Sequence, residues 1–408
     1  MRYLFVHQNF PAQFLHLLRR LAPQNAHELL FLTENTTARM SGVRKMVHKL
    51  PQPATPGVHQ DAREFEISTI RAQGVADGGR QLKALGFEPE IIIGHHGWGE
   101  LLNVRDVWPD APLLGYYEFY YNVRGFDVGF DPEFATGPLD HPRVRAKNTV
   151  NLLALDNPGH GFTPTQFQLS TYPAWAQKKI TVLPEGVNLD VCKPDPSLRK
   201  REVTIAGYRI SPHEKLITYV VRDLEPYRGF HVFMRALPHI LAARPDARVI
   251  LVGGDGVSYG ARPAKGTWRE RMLQELSGKL DISRVHFAGR VTYDTYVKLL
   301  QRSDAHVYLT YPFVASWSLR ESLAMGCAVV ASDTAPVHEF VTHEKNGLLV
   351  PFLDPAGIAD GVLRVLADTR LANRLRRAAR AWAEEHLQMD AYLDAFEALI
   401  AKVRAGDV

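Results

Sequence analysis

Cysteine is almost absent: 408 residues contain two, Cys192 and Cys327. They lie far apart and match no zinc or redox spacing, which rules out a disulfide scaffold and fits a reducing compartment. A dominant charge sign is lacking as well. The 48 Lys and Arg are offset by 44 Asp and Glu, leaving a net of +4. That excess is too small and dispersed for a nucleic-acid binder. No apolar run reaches the length that spans a bilayer. The start, Met1-Arg2-Tyr3-Leu4-Phe5-Val6-His7, lacks the apolar region and cleavage site of a signal peptide. No short-period repeat or low-complexity stretch occurs, so solenoids and propellers drop out. The expectation is a cytoplasmic globular chain, ordinary at 46% hydrophobic and 23% charged residues. At about 150 residues per domain its length allows two or three domains.

What is present is alternation. Short apolar runs at Tyr3–His7, Leu29–Leu32, Glu90–Ile93 and Pro112–Tyr117 read as strands. Between the first two, Phe14, Leu15, Leu17, Leu18 and Leu21 recur at helical spacing. A proline- and charge-rich run, Lys193–Arg201, reads as a linker, after which the pattern restarts. Strands are expected at 216–221, 247–252, 285–287, 305–309, 328–332 and 348–350, with a helix at 230–243. Repeated strand–helix–strand units give parallel sheets covered on both faces. Asp354-Pro355 reads as a helix cap followed by proline in the first turn. Farther along the same helical stretch, which runs to about Arg404 with a break near Gln388-Met389-Asp390, Arg374, Arg376, Arg377 and Arg380 surround an apolar stripe and read as a solvated face.

Open α/β sheets bind ligands beyond the carboxyl ends of their strands. There, Val221-Arg222-Asp223-Leu224-Glu225-Pro226-Tyr227-Arg228-Gly229 places two guanidiniums around a helix start. That combination suits a diphosphate, and a structural salt bridge plus one exposed arginine accounts for it equally. Gly253-Gly254-Asp255-Gly256 permits close backbone approach but is neither a Walker A loop nor a dinucleotide fingerprint. Further on, Ser316-Trp317-Ser318-Leu319 would offer backbone N–H groups at a helix start. Glu321 has two readings. Ser318-x-x-Glu321 is a capping box, and the same carboxylate could accept bonds from a ribose diol.

Taken in order, these segments resemble a family 4 retaining glycosyltransferase of the GT-B fold. Arg222 and Arg228-Gly229 match the family's basic pair, with arginine where lysine is usual. Val252-Gly253-Gly254, Val285-His286-Phe287-Ala288-Gly289 and Glu321-Ser322-Leu323-Ala324-Met325-Gly326 match three further motifs. Pro184-Glu185-Gly186-Val187-Asn188 resembles the domain-joining pattern. The segments Phe5-Val6-His7-Gln8-Asn9-Phe10-Pro11-Ala12-Gln13-Phe14 and His96-Gly97-Trp98-Gly99-Glu100 resemble a bacterial subgroup. Two departures stand out. The first of the family's two glutamates would fall at Phe313, and Ser316 replaces a usual glycine. The donor sugar is thereby left open.

The resemblance implies two Rossmann-like domains facing a cleft, at 1–195 and 205–387, with a helix at about 388–405 crossing back to the first. It implies a donor site of Arg222, Arg228, Gly253, Gly254, Arg290, Ser316, Trp317, Ser318, Leu319 and Glu321. It implies an acceptor site of Asn9, Pro11, Gln13, His95, His96, Trp98 and Glu118, with His96, Glu118, Arg222 and Arg228 in the catalytic roles. His96 fits the subgroup better than His95, and Glu118 stands where relatives often place histidine. The implied reaction moves a hexose from a nucleoside-diphosphate sugar, UDP-glucose by family frequency, with retention and with neither metal nor cofactor. The acceptor stays open among glycan, lipid-linked, protein and small-molecule hydroxyls. Other readings of the architecture are an epimerase, a phosphorylase and a non-catalytic sugar-nucleotide binder. Arg44, Lys45, His48 and Lys49 form a candidate patch for an anionic membrane surface.

Overall fold

A computed structural model describes residues 1–134, 137, 140–157 and 159–408. They form two compact units, Met1–Glu185 with Asp390–Val408, and Gly186–Met389. The division falls earlier than the Lys193–Arg201 run. That run lies inside the second unit, where Asp195 accepts a bond from the Ser197 N–H and starts a short 3-10 turn, Pro196–Arg199.

The first unit is built on seven parallel strands: β1 (Arg2–Val6), β2 (Glu28–Thr33), β3 (Arg44–Val47), β4 (Ile91–His95), β5 (Leu113–Tyr116), β6 (His160–Thr163) and β7 (Ile180–Val182). Their order is β3-β2-β1-β4-β5-β6-β7. Strands covered on both faces need apolar residues without alternation. Leu4, Phe5 and Val6 of β1 and Ile91, Ile92 and Ile93 of β4 are all fully buried. One face packs Leu4, Val6, Leu30 and Ile92 on Val75, Leu82 and Trp108. On the other, the rings of Phe5, Phe14 and Phe31 touch. The last helix, Met389–Ala405, belongs to this unit: Phe396 lies 4.9 Å from Phe162, ring to ring, and Arg20 pairs with Glu397 at 2.8 Å.

The second unit opens with a hairpin, β8 (Val203–Ile205) and β9 (Tyr208–Ile210). Its turn residues Ala206 and Gly207 both have positive φ, as a type I′ turn requires. Six parallel strands follow: β10 (Lys215–Asp223), β11 (Ala247–Gly254), β12 (Val285–Gly289), β13 (Ala305–Tyr308), β14 (Val329–Ser332) and β15 (Leu348–Val350). Their order is β12-β11-β10-β13-β14-β15. Each sheet therefore runs outward from its first strand, then restarts on that strand's other side. The reversal leaves a crevice beyond the strand ends, between β1 and β4 in one unit and between β10 and β13 in the other.

The helix Thr369–His386 has Arg374 and Arg377 on the expected solvated face and departs from it at Arg376 and Arg380. Arg380 donates to the carbonyls of Cys192 (2.8 Å) and Ala324 (2.9 Å), and Arg376 donates to the Asp304 carbonyl at 2.7 Å. Long aliphatic stems let both guanidiniums reach across the apolar seam to backbone oxygens. In the candidate membrane patch Arg44 and Lys49 are exposed, while the other two basic groups are engaged or buried. Arg44 pairs with Glu28, the Lys45 ammonium bridges the carbonyls of Asn35 and Ala38, and His48 is buried. Among the described residues no helix is long and apolar enough to cross a membrane.

Two buried histidines are neutral in the folded chain. Burial first, and His95 second, push His96 down to about 3. Burial pushes His306, 3.0 Å from the Thr218 hydroxyl, down to about 4. Unfolded, both titrate near 6.5, so between about pH 6.5 and 4 the unfolded chain binds protons that the native chain refuses. Stability is therefore expected to fall as pH drops through that window, by up to about 1.4 kcal/mol per pH unit for each ring. Thermal melts across the window check this. A His306→Gln variant should show the shallower acid limb, and an unchanged slope would count against the assignment.

Candidate active site

At the carboxyl end of β10 the register with β11 slips between Val220 and Asp223, a bulge that sets Val221 and Arg222 opposite one residue. The bulge turns Arg222 outward, where it is exposed and has no partner among the described residues. Asp223 points inward and accepts bonds from the Ser258 hydroxyl (2.6 Å) and Arg290 (3.0 Å). Burial raises its pKa, but these two donors outweigh that effect and hold it below the usual carboxylate range. Glu225 is fully buried and accepts the backbone N–H groups of Ser258, Tyr259 and Gly260 at 2.9–3.2 Å. Asp223 and Glu225 thus fasten the loop that follows β11.

Arg228 is buried. It donates to the Thr310 hydroxyl and the Val314 carbonyl, both at 2.8 Å, and lies 5.0 Å from the Tyr259 ring and 6.0 Å from that of Phe313. Phe313 therefore supplies an aromatic face beside the guanidinium, packing on Tyr227 and Tyr259. Gly229 follows with φ +71°, and a Cβ there would lie 2.5 Å from that of Leu309. Only glycine lets the helix Phe230–Ala243 begin at this point.

The helix Trp317–Ala324 starts at Ser316, whose side chain bonds Ser318 rather than the helix N–H groups. Ser316 supplies no side-chain cap to this helix. The capping box does not form, because Ser318 already lies inside the helix. Glu321 instead accepts the hydroxyls of Tyr293 and Tyr296, each at 2.7 Å. Leu319 contributes no free group: its side chain is buried and its N–H donates to the Ser316 carbonyl. Gly253 and Gly254 end β11, and Arg290 extends from Asp223 into solvent.

In the first unit, His7 follows β1 and His95 ends β4, with ring centroids 5.4 Å apart. His95 also faces Trp98 (6.1 Å), Tyr116 (5.2 Å) and the Glu118 carboxylate (3.6 Å). His96 points the other way. Its ring fills the space beside Gly115, where a Cβ would come within 2.1 Å, and packs on Tyr117. That removes His96 from the sheet edge and leaves His95 there. Asn9 and Trp98 are exposed, while Pro11, Gln13 and Glu118 are half-buried. Tyr116, Tyr117 and Phe119 belong to the core. Sequence reading passed over His7, Asp223, Glu225, Tyr259, Tyr293 and Tyr296. His7 and Asp223 were findable as polar residues at strand ends; the others depend on contacts far apart in the chain.

Residues 25–192 match the family described as Glycosyl transferase family 4 group, and residues 205–382 match Glycosyl transferases group 1. D-inositol 3-phosphate glycosyltransferase of Jonesia denitrificans is 28% identical over 308 residues, 72% of this chain and 66% of that one. The chain spans between 37% and 66% of the length of the first curated relatives it matches. Sucrose-phosphate synthase from Thermosynechococcus elongatus shares the fold, with a TM-score of 0.74 at 17% identity and 100% of both chains covered. Anabaena HepE, solved in complex with UDP-glucose, has a TM-score of 0.69 at 17% identity, covering 98% of this chain and 100% of that one.

Proposed function

We propose that this chain, which belongs to the glycosyltransferases and has the GT-B pair of Rossmann-like domains, moves a hexose from a nucleoside-diphosphate sugar to an acceptor hydroxyl. The observation that carries the reading is Arg222. It is a guanidinium without a partner among the described residues, turned out by a bulge at the switch point of the second sheet, one loop from Arg228. Guanidiniums match phosphate oxygens in pairs. The start of the helix Trp317–Ala324 adds N–H groups and partial positive charge. In this reading Arg222 and that helix end neutralise the diphosphate most strongly as it departs, which is where preorganised donors act best. Glu321 binds the ribose. In the first unit His95 and Glu118 hold the acceptor, and Glu118 takes its proton.

The configuration is retained by same-face attack through an oxocarbenium-like state, with no metal or cofactor taking part. UDP-glucose is the donor of choice, in line with the ligand of Anabaena HepE. The acceptor is a glycan, lipid-linked, protein or small-molecule hydroxyl at the cytoplasmic side. Incubation with UDP-glucose, GDP-mannose and ADP-glucose, with and without candidate acceptors, should release free nucleoside diphosphate. The preferred donor should also raise the melting temperature, because saturation at about 100 Kd adds about 2.7 kcal/mol. If no nucleotide sugar shifts the melt, the donor reading fails.

A further inference from the structure

Three buried polar atoms without a hydrogen-bond partner among the described residues lie along one edge of the first sheet: His7 Nε2, His95 Nε2 and Glu100 Oε2. Buried polar groups are normally paired, so such a cluster calls for an explanation. The strands set it up. Val6 of β1 is in register with Gly94 of β4, so the next residues, His7 and His95, meet at the crevice where the strand order reverses.

Backbone donors fix both rings. The Asn9 N–H donates to His7 Nδ1 at 2.8 Å, and the Gly97 N–H donates to His95 Nδ1 at 2.9 Å. A ring nitrogen that accepts carries no proton, so each neutral imidazole has its hydrogen on Nε2. The two rings are therefore donors at Nε2. His95 Nε2 stands 3.6 Å from Glu118 Oε2, too far for a direct bond and close enough for one hydroxyl to bridge.

We propose that His7 and His95 form a donor pair which, with Glu118 as acceptor, reads neighbouring hydroxyls of an uncharged polyol. This rests on the reading that the first unit takes the acceptor, and it narrows the chemistry of that acceptor. The surrounding charges disfavour a phosphate. Arg71, which bears on His7 and Glu100, is committed to Glu34 (2.6 Å) and the Trp98 carbonyl (2.9 Å). His7 is kept neutral by burial, with His95 and Arg71 adding to the effect. An anion would meet two neutral rings and the carboxyl groups of Glu100 and Glu118. A hydroxyl would find an N–H to accept from and a carboxylate to donate to.

The test uses the full chain labelled with 15N-histidine and no nucleotide sugar. Ring-nitrogen spectra should show the Nε2–H tautomer for His7 and His95. Titration with myo-inositol or D-glucose should shift both Nε2 signals to saturation, and the phosphates of these sugars should bind more weakly. His7→Phe keeps the ring packing on Phe14 and loses the donor, so polyol affinity should fall about tenfold or more. His7→Gln restores an N–H near the ε position and should recover part of it. An Nδ1–H tautomer at either ring, no shift with both polyols, or tighter binding of the phosphates would overturn the proposal. A chain that binds UDP-glucose but no polyol sinks this inference alone. One that binds a polyol but no nucleotide sugar sinks the donor reading alone.

Discussion

Replacing Arg222 with alanine is expected to lower transfer from the nucleotide sugar by about 10²–10³-fold, the effect of removing one preorganised donor from a developing negative charge. The fold should not register the change. Arg222 is exposed and has no partner among the described residues, and substitutions at such positions stay within about 0.5 kcal/mol. Arg228 offers the contrast. Its guanidinium satisfies the Thr310 hydroxyl and the Val314 carbonyl and fills space beside Tyr259 and Phe313. Arg228→Ala should therefore lose activity and also about 1–3 kcal/mol of stability, the cost of leaving buried acceptors unpaired. Initial rates of UDP release and thermal melts on both variants separate the two cases. Full activity in Arg222→Ala would remove the residue on which the donor reading depends.

The contrast between these arginines also marks what the sequence made legible. Both were visible as basic residues after an apolar run, because parallel strands buried on both faces announce their ends. That one is exposed and the other is buried among partners depends on a bulge between Val221 and Arg222 and on Thr310 and Val314, all without a local signature. The paired histidines teach the same lesson. Adjacent residues leaving a strand point to opposite sides, and the choice between His95 and His96 was made by Gly115, which opens room for one ring in the core. Arg376 and Arg380 looked like a solvated stripe because helical periodicity reports direction and not reach. The six parallel strands of the second unit and four of the seven in the first were recoverable from apolar runs, whereas β3, β6, β7 and the hairpin Val203–Ile210, all short, were passed over.

Glu321 carries the second large expectation, and here binding and stability should part. If its carboxylate holds the ribose diol, Glu321→Ala should raise the KM for the nucleotide sugar by about 10–100-fold, in line with about 1.5–3 kcal/mol for charge-assisted bonds. The same change strips the acceptor from the Tyr293 and Tyr296 hydroxyls, and Tyr296 is buried. A loss of about 1–3 kcal/mol should accompany it. Glu321→Gln keeps one carbonyl oxygen and an N–H that a tyrosine oxygen can accept, so stability should largely return while donor affinity does not. Acid should reproduce the loss. Burial raises the Glu321 pKa above the ordinary glutamate value, although the two tyrosine hydroxyls pull it back. As pH falls toward that raised pKa, the protonated group ceases to accept from the diol, and nucleotide-sugar affinity should decline earlier than an ordinary glutamate allows. Calorimetric titrations over a pH series resolve this limb in the wild type, and Glu321→Gln should lack it. An affinity as insensitive to pH in the wild type as in the glutamine variant would place Glu321 outside the donor site.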